Sequence, residues 1–289
     1  MKKVLIFIGL ITAALISLEA KSYSFNVEVS GKGQPILLIP GLSCAGEVWD
    51  ETLKNLKGKY EYHVITLPGF AGQEPIETDN YLMTIGDELI DYIKSEKLKS
   101  SVVIGHSLGG FLALYIGSKE PDLVAKLVVV DGLPFLGGIQ NPSATPESVK
   151  QMAESQRKNM ETQSSEQYET MQPQMLASMV NDKEDIETIM EWGRQSDQKT
   201  VAQAMYELYQ TDLRGEISKI KAPTLVLGAW IAYKNYGATR ESTEQVYRSQ
   251  FKSMENYQLK MTDEGKHFIM LDDPEFFYTQ VNSFLDAKS

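Results

Sequence analysis

Three short runs constrain this 289-residue chain more than any other feature: Ser101–Gly105 (SVVIG), Leu123–Val130 (LVAKLVVV) and Thr224–Gly228 (TLVLG). They are apolar, β-branched and largely without polar alternation, as strands buried on both faces of a parallel sheet should be. Pro35–Pro40, Tyr60–Leu67 and Gln258–Met261 read as further strands, and Ser22–Val29 alternates like a sheet edge. Segments with helical spacing separate them. In Asn80–Leu98 the residues Leu82, Ile85, Leu89 and Ile93 fall on one helix face, and Leu108–Gly117 and Pro274–Leu285 are also helical. Strands alternating with helices predict an α/β fold: a mostly parallel central sheet with helices on both faces.

One stretch breaks the alternation. From Leu136 to Arg214 there is no strand pattern, only polar and helical sequence carrying seven of the chain's 12 methionines. This predicts four short helices forming a cap over 136–214, inserted into a core domain of 21–135 and 215–289. Met171, Met175 and Met179 stand one helical turn apart. The favoured expectation is that this stripe packs the insert against the core, the alternative that it lines an adaptable apolar channel.

The N-terminus reads as a targeting segment. Met1-Lys2-Lys3 is basic, Val4–Leu18 is almost unbroken apolar sequence, and Ala20 offers a small residue for cleavage. The run is short for a membrane span of about 20 residues, so a signal peptide over 1–20 is expected, with an uncleaved anchor less favoured. The mature protein is then secreted or periplasmic and free of the membrane. With 28 Lys and Arg against 39 Asp and Glu the net charge is −11, which argues against nucleic-acid or anionic-membrane partners. Cys44 is the single cysteine, so neither an internal disulfide nor a multi-cysteine zinc site is possible.

The stretch with chemical content is Gly105-His106-Ser107-Leu108-Gly109-Gly110. A strand precedes it and a helix follows, so Ser107 sits at the apex of a tight turn, with glycines on either side removing side chains that would clash. A serine hydroxyl needs a base to become a nucleophile at neutral pH. The chain has three histidines. His63 lies on an expected strand, and His106 adjoins the serine with its side chain directed away from it. His267 follows Gly265-Lys266 in the loop before the last helix. Elimination points to His267.

Across its mature length the chain resembles the α/β-hydrolase family. The resemblance rests on Ile39-Pro40-Gly41-Leu42, the serine turn, the helical insert, Ala222-Pro223-Thr224-Leu225-Val226-Leu227 and Gly265-Lys266-His267-Phe268, in that order. It implies a serine hydrolase with a helical cap, in which Ser107 is the nucleophile and His267 the general base. It also implies that the backbone amides of Leu42 and Leu108 form the oxyanion hole. The family usually has His before the glycine of the first turn; Pro40 stands there instead. The usual acid position, after Thr224–Gly228, is vacant, since no carboxylate follows until Glu241. Some relatives carry the acid one strand earlier, where this chain has Asp131, the expected triad acid. A capping role for Asp131 is the alternative, and Asp212 reads as a structural contact between cap and core.

The resemblance implies no metal and no organic cofactor. Serine at the turn argues against dehalogenase and epoxide-hydrolase chemistry, which use aspartate there. The expected activity is hydrolysis of a small apolar carboxylic ester through an acyl-enzyme. A cofactor-free haloperoxidase or a carbon–carbon bond hydrolase would use the same triad. A catalytically silent protein binding a small apolar ligand is the alternative from another class.

Overall fold

The apolar runs are strands of a single sheet. The computed structural model describes residues 22–287; the expected signal segment, 1–20, lies outside them. The strands are β1 (Asn26–Gly31), β2 (Gln34–Ile39), β3 (Tyr60–Thr66), β4 (Ser101–His106), β5 (Val124–Val130), β6 (Thr224–Gly228) and β7 (Tyr257–Met261). They lie in the order β1-β3-β2-β4-β5-β6-β7. β1 pairs antiparallel with β3 at one edge, and the pairs from β3 through β7 are parallel. Alternate residues feed opposite faces, as a period of two requires. Leu37, Ile39, Val103 and Val129 enter one core. Ile36, Leu38, Val102, Ile104, Val128 and Val130 enter the other.

The helices are α1 (Asp50–Asn55), α2 (Tyr81–Ser95), α3 (Leu108–Lys119), α4 (Pro146–Thr162), α5 (Ser165–Ala177), α6 (Lys183–Arg194), α7 (Gln198–Gln210), α8 (Arg240–Gln250), α9 (Ile269–Asp272) and α10 (Pro274–Asp286). α3 is buried from Leu108 through Ser118, which makes it the central helix beneath the site. Residues of α2, α3 and α8 pack on one face of the sheet. Trp49, before α1, and Phe277, Val281 and Phe284 of α10 pack on the other. No helix among the described residues is long and apolar enough to cross a membrane.

Helices α4 to α7 lie between β5 and β6 in the chain, and polar contacts pin them to the core. α2 lacks a side-chain cap of its own at Asn80. Glu207 of α7 supplies one, accepting from the amides of Tyr81 and Leu82, both at 2.7 Å. A carboxylate suits the positive end of a helix dipole. The turn between α6 and α7 is tied down by Asp197 N–H donating to Gly69 O at 2.7 Å. Asp212 pairs with Arg214 at 2.6 Å, and Arg214 reaches the carbonyls of Pro142 and Ala144. All four residues lie within 136–214, so Asp212 ties the two ends of the insert to each other and does not itself bridge cap and core as expected.

The methionine stripe departs from the favoured expectation. Met171 is 61% exposed and Met175 48% exposed, and only Met179 packs against the core. Leu176 near the end of α5 and Val180 just beyond it are buried instead.

Candidate active site

Ser107 stands between β4 and α3 with φ 53° and ψ −114°, left-handed backbone that a non-glycine residue rarely adopts. Close packing enforces it. Ser107 N–H donates to Val130 O at 2.8 Å, tying the turn to the end of β5. A Cβ on Gly105 would lie 2.0 Å from Gly109 O, and one on Gly109 would lie 2.2 Å from Ile39 O. Both are backbone collisions, so the two glycines are what allow strand, turn and helix to approach this closely. Because the serine backbone is not in a capping conformation, its side chain makes no helix-cap bond. Among the described residues Ser107 Oγ has no hydrogen-bond partner.

The loop after β2 is pressed against this turn. A Cβ on Gly41 would meet His106 Nδ1 at 2.8 Å and Ser107 Cβ at 3.4 Å, which puts Gly41-Leu42 beside the serine. Ser43 bends the loop back with φ 59°. Leu108 is the first residue of α3, and Phe111 N–H is the first to bond back, to Ser107 O at 3.0 Å. Among the described residues the amides of Leu42 and Leu108 have no protein acceptor. Two free donors thus flank Ser107, one of them at a helix start. Cys44 lies in the same loop; burial pushes its thiol up to about 12, so the thiolate is absent at neutral pH.

Asp131 and His267 meet across the carboxyl ends of the strands. His267 Nδ1 and Asp131 Oδ2 are 2.6 Å apart, and the Asp131 side chain is only 6% exposed. Asp131 itself has φ 47°, and its N–H donates to Leu227 O at 2.8 Å. Its second oxygen, Oδ1, accepts from Ala229 N–H at 2.9 Å and from the Tyr247 hydroxyl. The carboxylate is therefore fixed by three donors. The end of β6 supplies one of them, the Ala229 amide.

His106 holds the loop that carries His267. Its Nε2 lies 3.1 Å from His267 O, and a carbonyl only accepts, so the proton is on Nε2. Nδ1 is buried without a partner. Burial, and then the neighbouring His267, lowers the His106 pKa well below the usual histidine value. The ring is neutral in the folded protein. Below pH 6.5 the unfolded chain takes up a proton there that the folded one refuses, so this residue withdraws stability as pH falls.

The loop is also held from the cap side. Phe268 N–H donates to Met179 O at 3.2 Å, and Lys266 Nζ donates to Ala177 O at 2.6 Å. Asp272 accepts from Lys266 N–H at 2.9 Å and from Asn181 N–H at 2.8 Å. A separate surface groove of about 400 Å³, lined by Glu47, Asp50, Asp185, Ile189 and Trp192 among others, includes none of these site residues. Among the described residues no group of three or more His, Cys, Asp or Glu side chains is arranged to hold a metal ion.

The model of the alpha/beta hydrolase family matches residues 36–280. The chain belongs to the alpha/beta hydrolase family. Among curated relatives, a pimeloyl-[acyl-carrier protein] methyl ester esterase of Vibrio atlanticus is 29% identical over 114 residues, covering 39% of the hydrolase and 42% of that relative. One of the same description from Nitrosomonas europaea is 24% identical over 212 residues, covering 71% and 79%. Among solved structures, a thermophilic esterase of Thermogutta terrifontis aligns with TM-score 0.72 and 21% identity, covering 90% of the hydrolase and 92% of that chain.

The structure thus brings Asp131 to His267, and Gly41-Leu42 to Ser107. Three contacts were not anticipated from the sequence of the hydrolase: the Tyr247 hydroxyl on Asp131, the Ala229 amide on the same oxygen, and His106 on the His267 carbonyl. α8, which carries Tyr247, was itself missed. Its signal was a capping box, Thr239 with Ser242, before a segment too polar to show an apolar stripe.

Proposed function

We propose that the protein hydrolyses carboxylic esters through a covalent acyl-enzyme formed on Ser107. The observation that carries this reading is the 2.6 Å contact of His267 Nδ1 with buried Asp131 Oδ2. It leaves Nε2 of a neutral His267 unprotonated and available as a base. Ser107 Oγ attacks the ester carbonyl, its proton passes to His267 Nε2, and the carbonyl oxygen becomes an oxyanion facing the amides of Leu42 and Leu108. Asp131 stabilises the imidazolium. Collapse of the tetrahedral species breaks the ester C–O bond, and His267 protonates the departing alcohol. Water, deprotonated by His267, then attacks the acyl-serine and releases the acid.

The esterase relatives support an ester as the substrate class, and the cap of 136–214 is the part proposed to select it. An active-site-directed fluorophosphonate tests the reading. It should label the native protein stoichiometrically and leave Ser107→Ala unlabelled, with both proteins melting at similar temperatures. A folded native protein that takes up no label would contradict the reading and favour a silent binder.

A further inference from the structure

The end of β6 and helix α8 together form a holding site for Asp131, and its side-chain member is Tyr247. The Tyr247 ring is buried, 6% exposed. It reaches Asp131 because β6 ends in glycine: a Cβ on Gly228 would lie 2.9 Å from Tyr247 Cε2 and Cζ and 2.7 Å from Met261 Sδ. At that depth a hydroxyl needs a partner, and the Tyr247 hydroxyl has Asp131 Oδ1. Ala229 N–H supplies the second donor to the same oxygen. A carboxylate held at Oδ1 by two donors from two elements has little freedom to rotate, and its other oxygen is aimed at His267 Nδ1.

Resting on the catalytic reading above, we propose that Tyr247 is a positioning residue for the triad: it fixes the orientation of the Asp131 carboxylate and, through it, of the His267 ring. Burial, and then the charge of Asp131, raises the Tyr247 pKa well above the ordinary tyrosine value, so the hydroxyl stays a donor wherever the enzyme works. The other titratable neighbours are Tyr233, whose hydroxyl feels the Asp131 charge, and His106, whose ring centroid is 4.6 Å from that of His267. His106 is neutral across the working range, so neither neighbour changes charge there.

Tyr247→Phe removes the hydroxyl and keeps the ring. Two effects follow. The carboxylate gains rotational freedom, so kcat should fall about tenfold with KM changed less than about twofold. With one donor fewer, Asp131 also concentrates its charge and holds the His267 imidazolium more tightly, so the acid limb of kcat/KM should move to higher pH. A merely structural tyrosine would not move that limb. In an Asp131→Asn background the same substitution should add almost nothing, since its partner is already altered. Tyr247→Phe with native kcat and an unmoved acid limb would overturn the proposal, as would a full additional loss in the double variant. Failure of the catalytic reading looks different: Asp131→Asn alone would then be fully active.

Discussion

Ser107 precedes α3 and Ser164 precedes α5, yet the two hydroxyls meet different fates. Ser164 has φ −76° and ψ 159°. Its Oγ accepts from Gln167 N–H at 3.2 Å while Gln167 Oε1 accepts from Ser164 N–H at 2.9 Å, a reciprocal capping box. Ser107, at φ 53° and ψ −114°, makes no such bond. Helix capping is what a serine before a helix does by default. Keeping the hydroxyl out of a cap takes a strained backbone, and the strain takes surroundings that leave no alternative. Those surroundings are the glycines at 105 and 109, the Val130 carbonyl and a helix buried along most of its length. α5 has none of them; it lies in the cap with Met171 and Met175 facing solvent.

The contrast can be broken at either end. The larger effect is expected at the Ser107 turn. In Gly109→Ala the new methyl would meet Ile39 O at 2.2 Å and Pro40 O at 2.6 Å, both backbone atoms that cannot rotate away. α3 must shift, at a cost of about 3 kcal/mol in denaturant-measured stability. The Leu108 amide shifts with it relative to Leu42, lowering kcat on the order of 10²-fold. A Gly109→Ala enzyme with native stability and rate would show that close packing does not hold the serine in place. The smaller effect is expected at the cap serine. Ser164→Ala should cost about 1 kcal/mol by chemical denaturation, as loss of a helix cap does, and leave kcat unchanged. Ser107→Ala should do the reverse, abolishing turnover without a comparable loss of stability. A large rate loss in Ser164→Ala would mean that the cap serine also serves the reaction.

How much of this was legible in the sequence follows from which interactions are local. β4, β5 and β6 announced themselves because strands buried on both faces must be apolar throughout. The turn at Ser107 was legible because its glycine spacing is a backbone requirement within six residues. Asp131 was reached because the β6 position is vacant, and it does lie against His267. What holds Asp131 was not legible. Tyr247 is 116 residues away in the chain, on a helix whose polar sequence hides its one buried aromatic. The Ala229 amide carries no side-chain signal at all. The stripe of Met171, Met175 and Met179 misled for a related reason: periodicity identifies a shared face but not what the face meets. Leu176 and Val180 carry the packing instead.

In the proposed reaction the Asp131–His267 pair activates Ser107, and the kcat of Asp131→Asn reports on that activation. Asparagine keeps the shape of the side chain but can bind the wrong imidazole tautomer, and it removes the charge that stabilises the imidazolium. The expected loss is on the order of 10⁴-fold, by analogy with the same acid-to-amide change in the serine-protease triad. The melting temperature should stay close to native, and Asp212→Asn, which alters the pair with Arg214, should keep kcat within about tenfold. A well-folded Asp131→Asn enzyme that also keeps kcat within tenfold of native would contradict the account and leave Ser107 with a different acid or with His267 alone.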